Sequence, residues 1–150
     1  MHHLMLGLLC LAATATAFAL LEIQIEGPDG WAAKLPTWRI EKRWAKLILG
    51  GRPLTGYHLY SQLFLVFVLH TPVVLFDIPW NLTSEVRLGS FLVLFWITED
   101  FLYFVFNPAF GIRKFKPQYI WWHKDAWWWI MPREDWVFGP LAVVLYSWTQ

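Results

Sequence analysis

Glu99 and Asp100 stand side by side within "LGSFLVLFWITEDFLYFVFNPAFG", residues 88–111, a stretch otherwise apolar enough to cross a bilayer. An acid at the centre of a membrane helix costs roughly 2.5–3.5 kcal/mol on insertion scales, so such groups face protein or a water-filled cavity. Neighbouring helical residues point about 100° apart, so these two carboxyls leave the helix in different directions. Glu99 aligns with Tyr103 and Asn107 at i+4 and i+8, a polar stripe expected to face the inside of a bundle. In an apolar setting a carboxyl holds its proton more tightly, which suits general acid-base chemistry on a lipid or isoprenoid.

Other segments carry polar groups that could reach the same level. Glu22 and Glu26 lie in "LLEIQIEG", His58 and Gln62 sit one helical turn apart, Glu134 and Asp135 begin the last span, and His123 lies among tryptophans. Glu99, Asp100 and His58 are therefore the candidate catalytic groups. Tyr103, Asn107, Gln62, Arg39, Lys114, His123, Glu22 and Glu26 are candidates for holding a substrate. Each has a plainer explanation. Glu22 and Glu26 can mark a helix end and His123 can be an interfacial anchor. His58 can bond a loop carbonyl, and Glu134 and Asp135 suit a helix start. His70, ahead of Thr71-Pro72, can bond backbone freed by the proline. A salt bridge to Arg or Lys competes with any catalytic role for Glu99 and Asp100.

Several chemistries are excluded or unsupported. The single cysteine, Cys10, rules out an intramolecular disulfide, a CxxC redox pair and a cysteine-based zinc site. No E-x-x-H, H-E-x-x-H, G-x-S-x-G or phosphate-loop pattern occurs, so no metal ligand is assigned and the cofactor stays open. Nucleic acid is not an expected partner.

These residues must be positioned by membrane elements. Of 150 residues, 57% are hydrophobic, 19% are aromatic and 15% are charged, with 12 tryptophans, a membrane composition. With no linker or repeat to divide it, the chain reads as a single transmembrane domain over residues 1–150. Its fold class is all-α: a four-helix bundle with spans at about 3–21, 55–76, 88–106 and 132–148. Thr55 suits the second span as N-cap, Pro132 opens the fourth, and Gly139-Pro140 should kink it. Small residues in "ATATAFA" could serve signal-peptide cleavage, but the first residues contain no Lys or Arg, and a retained first helix is expected.

The connections contain six, one and five of the 12 Lys and Arg residues. The positive-inside rule then places both basic loops in the cytoplasm and both termini outside, in a prokaryotic inner or plasma membrane. "TWRIEKRWAKLILGG" reads as an interfacial amphipathic helix, with Thr37 capping its start and Gly50-Gly51 its end. Trp121, Trp122, Trp127, Trp128, Trp129 and Trp136 form a cytoplasmic cap expected at headgroup level. Membrane lipids are the expected partners, with a membrane-protein partner or a second copy as further candidates.

Two resemblances bear on these segments. "LEIQIEG" followed by "GWAAKLPTWR", beginning at Gly30, resembles a motif of small uncharacterised prokaryotic membrane proteins over the first quarter of the chain, and implies no function. "TEDFLYF", residues 98–104, resembles the acid pair followed by aromatics in membrane lycopene cyclases, without the proline that often precedes it. That resemblance implies acids that protonate an isoprenoid. The expected function is thus a small membrane enzyme acting on a lipid or isoprenoid at the cytoplasmic interface. The alternative is a non-catalytic subunit of a larger membrane complex that binds quinone or pigment.

Overall fold

The computed structural model describes residues 2–150. Helix α1 spans His2–Glu26 and is followed by a loop, strand β1 (Arg39–Ile40), helix α2 (Arg43–Ile48) and strand β2 (Leu54–Thr55). Helices α3 (Gly56–Leu75) and α4 (Leu82–Phe106) come next, then strands β3 (Trp127–Trp128) and β4 (Met131–Pro132), and helix α5 (Arg133–Trp148). Both strand pairs are antiparallel, β1 with β2 and β3 with β4.

The caps explain the helix starts. Thr55 Oγ1 accepts the His58 amide at 3.2 Å and opens α3, as its sequence position suggests. Helix α4 starts earlier than Leu88 because Asn81 and Ser84 form a reciprocal capping box, with both side chain to backbone bonds at 3.0 Å. Glu85 and Arg87 follow that box, so the charge-free run begins only after the helix has started. Pro132 precedes α5, whose first turn carries Glu134 and Asp135.

Helix α4 packs against α1 and α5. Ala15 and Ala19 are fully buried, and these small side chains let α1 approach α4 closely. One core cluster joins Leu11, Ala15 and Phe95; another joins Ala19, Tyr103, Phe104, Ile120 and Trp122. Large apolar side chains such as Leu9, Phe64, Phe67, Val74 and Val144 cover the outside. Leu4–Glu26, Gly56–Leu75 and Leu82–Phe106 are long and apolar enough to cross a membrane. Helix α5 has 16 residues, a rise of about 24 Å against a hydrocarbon core of about 30 Å.

Two expected elements take another form. The amphipathic segment is helical only over Arg43–Ile48, because Arg39 and Ile40 pair with Thr55 and Leu54. Thr37 does not cap α2; its Oγ1 accepts the Tyr57 amide at 3.0 Å instead. Strand pairing across the chain thus overrides the local 3.6-residue periodicity, while Gly50 and Gly51, at φ +60° and +93°, still end the helix. In the tryptophan-rich segment, Trp129 is 84% exposed but Trp122 is 5% exposed and lies in the core. Trp122 stacks on Phe104 with ring centroids 5.5 Å apart.

Candidate functional site

The ends of α1, α3 and α4, the start of α5 and the loops beside them surround a cavity of about 320 Å³. Helix α1 delivers Glu22 and Glu26 one turn apart, on one face. The Tyr57 hydroxyl donates to Glu22 Oε1 at 3.1 Å, and the Ala32 amide donates to Glu26 Oε1 at 2.6 Å. That amide is aimed inward by left-handed backbone at Trp31 and Ala32, with φ of 47° and 51°. Such conformations persist in non-glycine residues only where surrounding contacts impose them. Here the contacts are specific. Gly27 O accepts from Tyr103 OH at 2.5 Å and from Asn107 Nδ2 at 2.8 Å, and Trp121 Nε1 donates to Asp29 O at 2.9 Å.

Helix α3 contributes His58 and Gln62. His58 Nδ1 lies 2.7 Å from Thr55 Oγ1, and its Nε2 lies 3.7 Å from Glu26 Oε1. The imidazole stacks on Trp31 with centroids 4.0 Å apart and planes at 22°. Gln62 Oε1 accepts from Trp96 Nε1 at 2.9 Å, tying α3 to α4.

Helix α4 aims its two acids as the helical geometry requires. Glu99 is 1% exposed, its carboxyl meets that of Glu22, and its Oε1 has no hydrogen-bond partner among the described residues. Asp100 points elsewhere, with Oδ2 3.0 Å from His123 Nε2. Arg52 completes this second cluster, with Nη1 3.5 Å from both ring nitrogens of His123. Its guanidinium is held by an Nε bond to Leu49 O at 2.6 Å and lies 4.1 Å from the centre of the Trp31 ring. Burial pulls the Arg52 pKa below its ordinary value, and the nearby Asp100, Glu134 and Asp135 act against that. An arginine so surrounded stays cationic.

Glu22, Glu26, His58, Gln62, Glu99, Asp100, Tyr103 and His123 all line the cavity. Asn107 sits behind it and holds the loop through Gly27 O. Arg39 and Lys114 are not brought there. The Arg39 guanidinium donates to the carbonyls of Ala32, Ala33 and Leu35, and Lys114 Nζ donates to Ala109 O at 2.8 Å. Both basic side chains therefore brace loops. His70 bonds its own i−4 carbonyl, Val66 O, at 2.7 Å and not one freed by Pro72; its Nε2 lies 3.2 Å from Glu85.

Glu134 and Asp135 line the cavity too, at the rim where the sequence places them, whereas Arg52 and Trp31 line it without having been singled out from the sequence. The available signal for Arg52 is the run Gly50-Gly51-Arg52-Pro53, whose rigid turn fixes where the side chain leaves the backbone. The acids of α5 suit its first turn, and the same position sets them at the cavity rim.

No protein-family model matches the chain, and no curated protein or solved structure matches it either.

The geometry supports two kinds of chemistry. Asp100 can orient His123, a pairing suited to moving a proton, with Arg52 available for a negative charge. The cluster of Glu22, Glu26, Glu99 and His58 concentrates acceptors in little space, an arrangement that calls for protons or a cation between them.

Proposed function

We propose that this integral membrane protein is an enzyme that carries out acid-base chemistry on a lipid or isoprenoid drawn into the cavity at the loop-rich end of its helices. One observation supports this above all: Glu99, Asp100 and His58 line one open cavity, in which Arg52 is the one lysine or arginine among the lining residues and lies on the Asp100 side. In this reading Asp100 and His123 exchange a proton with the substrate, Glu99 and His58 form the opposing proton partner, and Arg52 receives an anionic headgroup. Trp31, Trp96 and Trp122 provide the apolar wall that an acyl or polyprenyl chain needs.

Helix α5 completes a four-helix bundle as a shallow crossing whose ends sit in the headgroup layers. The loops rich in Lys and Arg face the cytoplasm, placing the cavity at that interface and both termini outside, in a prokaryotic plasma membrane.

The test uses purified protein in nanodiscs, incubated with total bacterial lipid extract and with polyprenyl substrates, and mass spectrometry of the products. Wild type should convert one component, and Asp100→Asn should slow that conversion about 10²- to 10⁴-fold, the range for losing a positioned acid-base group. Unchanged conversion in Asp100→Asn and His58→Ala would refute the proposal. If both variants instead reduce only abundance or co-purification of another membrane protein, the chain is an accessory subunit.

A further inference from the structure

The inner end of the cavity holds a group of ligand atoms that the acid-base reading does not by itself require. One oxygen each from Glu22 and Glu26 and one ring nitrogen of His58 lie within 4.8 Å of one another. Ligands about 2.0–2.2 Å from a shared ion sit at such mutual separations after small side-chain adjustments. Glu99 adds an independent indication. It is almost completely buried, its carboxyl abuts Glu22, and its Oε1 is unpartnered among the described residues. A buried acceptor with no donor is costly, and a cation beside it removes that cost.

We infer that Glu22, Glu26 and His58 form a site for one divalent first-row transition ion, with Glu99 supplying a fourth oxygen directly or through a bound water. The contacts around the imidazole fit this role. Thr55, itself fully buried, lies 2.7 Å from Nδ1, so Nδ1–H can donate to its hydroxyl and leave the Nε2 lone pair aimed at the carboxyls. A lone pair facing an acid 3.7 Å away is repulsive until a proton or a metal ion lies between them. Trp31 fixes the ring plane by stacking, and the Tyr57 hydroxyl and Ala32 amide orient the two α1 carboxyls.

The electrostatics of the cavity also favour a cation. Six carboxyls, from Glu22, Glu26, Glu99, Asp100, Glu134 and Asp135, line it with Arg52 as the single lysine or arginine among the lining residues. Arg52 lies near Asp100 and His123, leaving the α1 acids without a basic side chain of their own. Mixed imidazole and carboxylate donors, without thiolate, suit manganese, iron(II), cobalt or zinc more than copper(I), calcium or magnesium.

This inference deepens the proposed acid-base function, since an ion here would place an acidified water in the cavity, yet it can be tested apart from activity. The protein, purified in mild detergent and stripped with chelator, is titrated with cobalt(II), followed by visible absorption and calorimetry. Wild type should bind one equivalent. Glu26→Gln and His58→Gln should each weaken binding at least about 100-fold, and Glu85→Gln, away from the cluster, should leave it unchanged. Added zinc should raise the wild-type unfolding temperature and leave that of the Glu26→Gln protein unmoved, so a folded but metal-blind variant is distinguished from an unfolded one. Absence of cobalt binding to wild type, or equal binding by wild type and both ligand variants, overturns the inference. Substrate conversion without cobalt or zinc would leave the acid-base proposal standing alone. Metal binding with conversion untouched in Asp100→Asn would leave the metal site standing alone.

Discussion

At the residue scale, the two acids that interrupt the apolar run have separate surroundings. Glu99 meets the carboxyl of Glu22 in the core, and Asp100 meets His123 with Arg52 beside it. The angular separation of successive helical residues makes that division legible in the sequence, as it does the alignment of Glu99 with Tyr103. The identities of the partners are not legible, because Arg52 and His123 reach Asp100 through loops whose paths depend on distant contacts. Because Asp100 and His123 act on each other, Asp100→Asn and His123→Gln should together cost hardly more activity than either alone, as measured by single-turnover product formation. Additive losses would mean that the pair does not work as a unit. Gly30 gives a second test. It has φ of +62°, and a Cβ there would sit 2.2 Å from the Trp122 ring. Gly30→Ala should destabilise the protein by about 1–3 kcal/mol through overpacking, read as lost thermal stability by tryptophan fluorescence.

At the scale of elements, apolar runs and caps carry most of the information. The second span starts behind Thr55 and the last helix behind Pro132, as their types suggest. Helix α4 owes its early start to the Asn81–Ser84 box, and Asn81→Ala should cost about 1 kcal/mol of stability while leaving the cavity and its chemistry intact. The interfacial segment shows where local pattern fails. Its periodic apolar residues predict a longer helix, yet β1 pairs with β2 and carries Thr37 to the start of α3. That pairing also fixes Thr55, whose Oγ1 lies 2.7 Å from His58 Nδ1. Arg39 and Lys114 look like substrate-binding cations when only charge is considered. Loop carbonyls close to each cation take them instead, those of Ala32, Ala33 and Leu35 for Arg39 and that of Ala109 for Lys114.

At the scale of the whole molecule, composition and hydropathy point to a membrane protein, and three helices have the length and apolar character to cross. The short α5 and the loop-rich end are set by packing on α4, which composition cannot convey. The proposed orientation makes a direct prediction in a Cys10→Ser background, with single cysteines at Asp77, Lys42 and Lys116. A membrane-impermeant maleimide applied to intact cells should label the Asp77→Cys protein and should reach the Lys42→Cys and Lys116→Cys proteins only after lysis. The reverse pattern would invert the topology and move the cavity to the outer face.

On the proposed function, the convergent acids and imidazoles of this cavity act on a membrane-soluble substrate. That function is tested most directly by comparing the apolar lipids of cells carrying equal amounts of wild type or the Glu99→Gln/Asp100→Asn double variant, using quantitative mass spectrometry. At least one lipid or isoprenoid product should fall by about 100-fold or more in the variant while its precursor accumulates. Identical lipid profiles at equal protein abundance would contradict the proposed function.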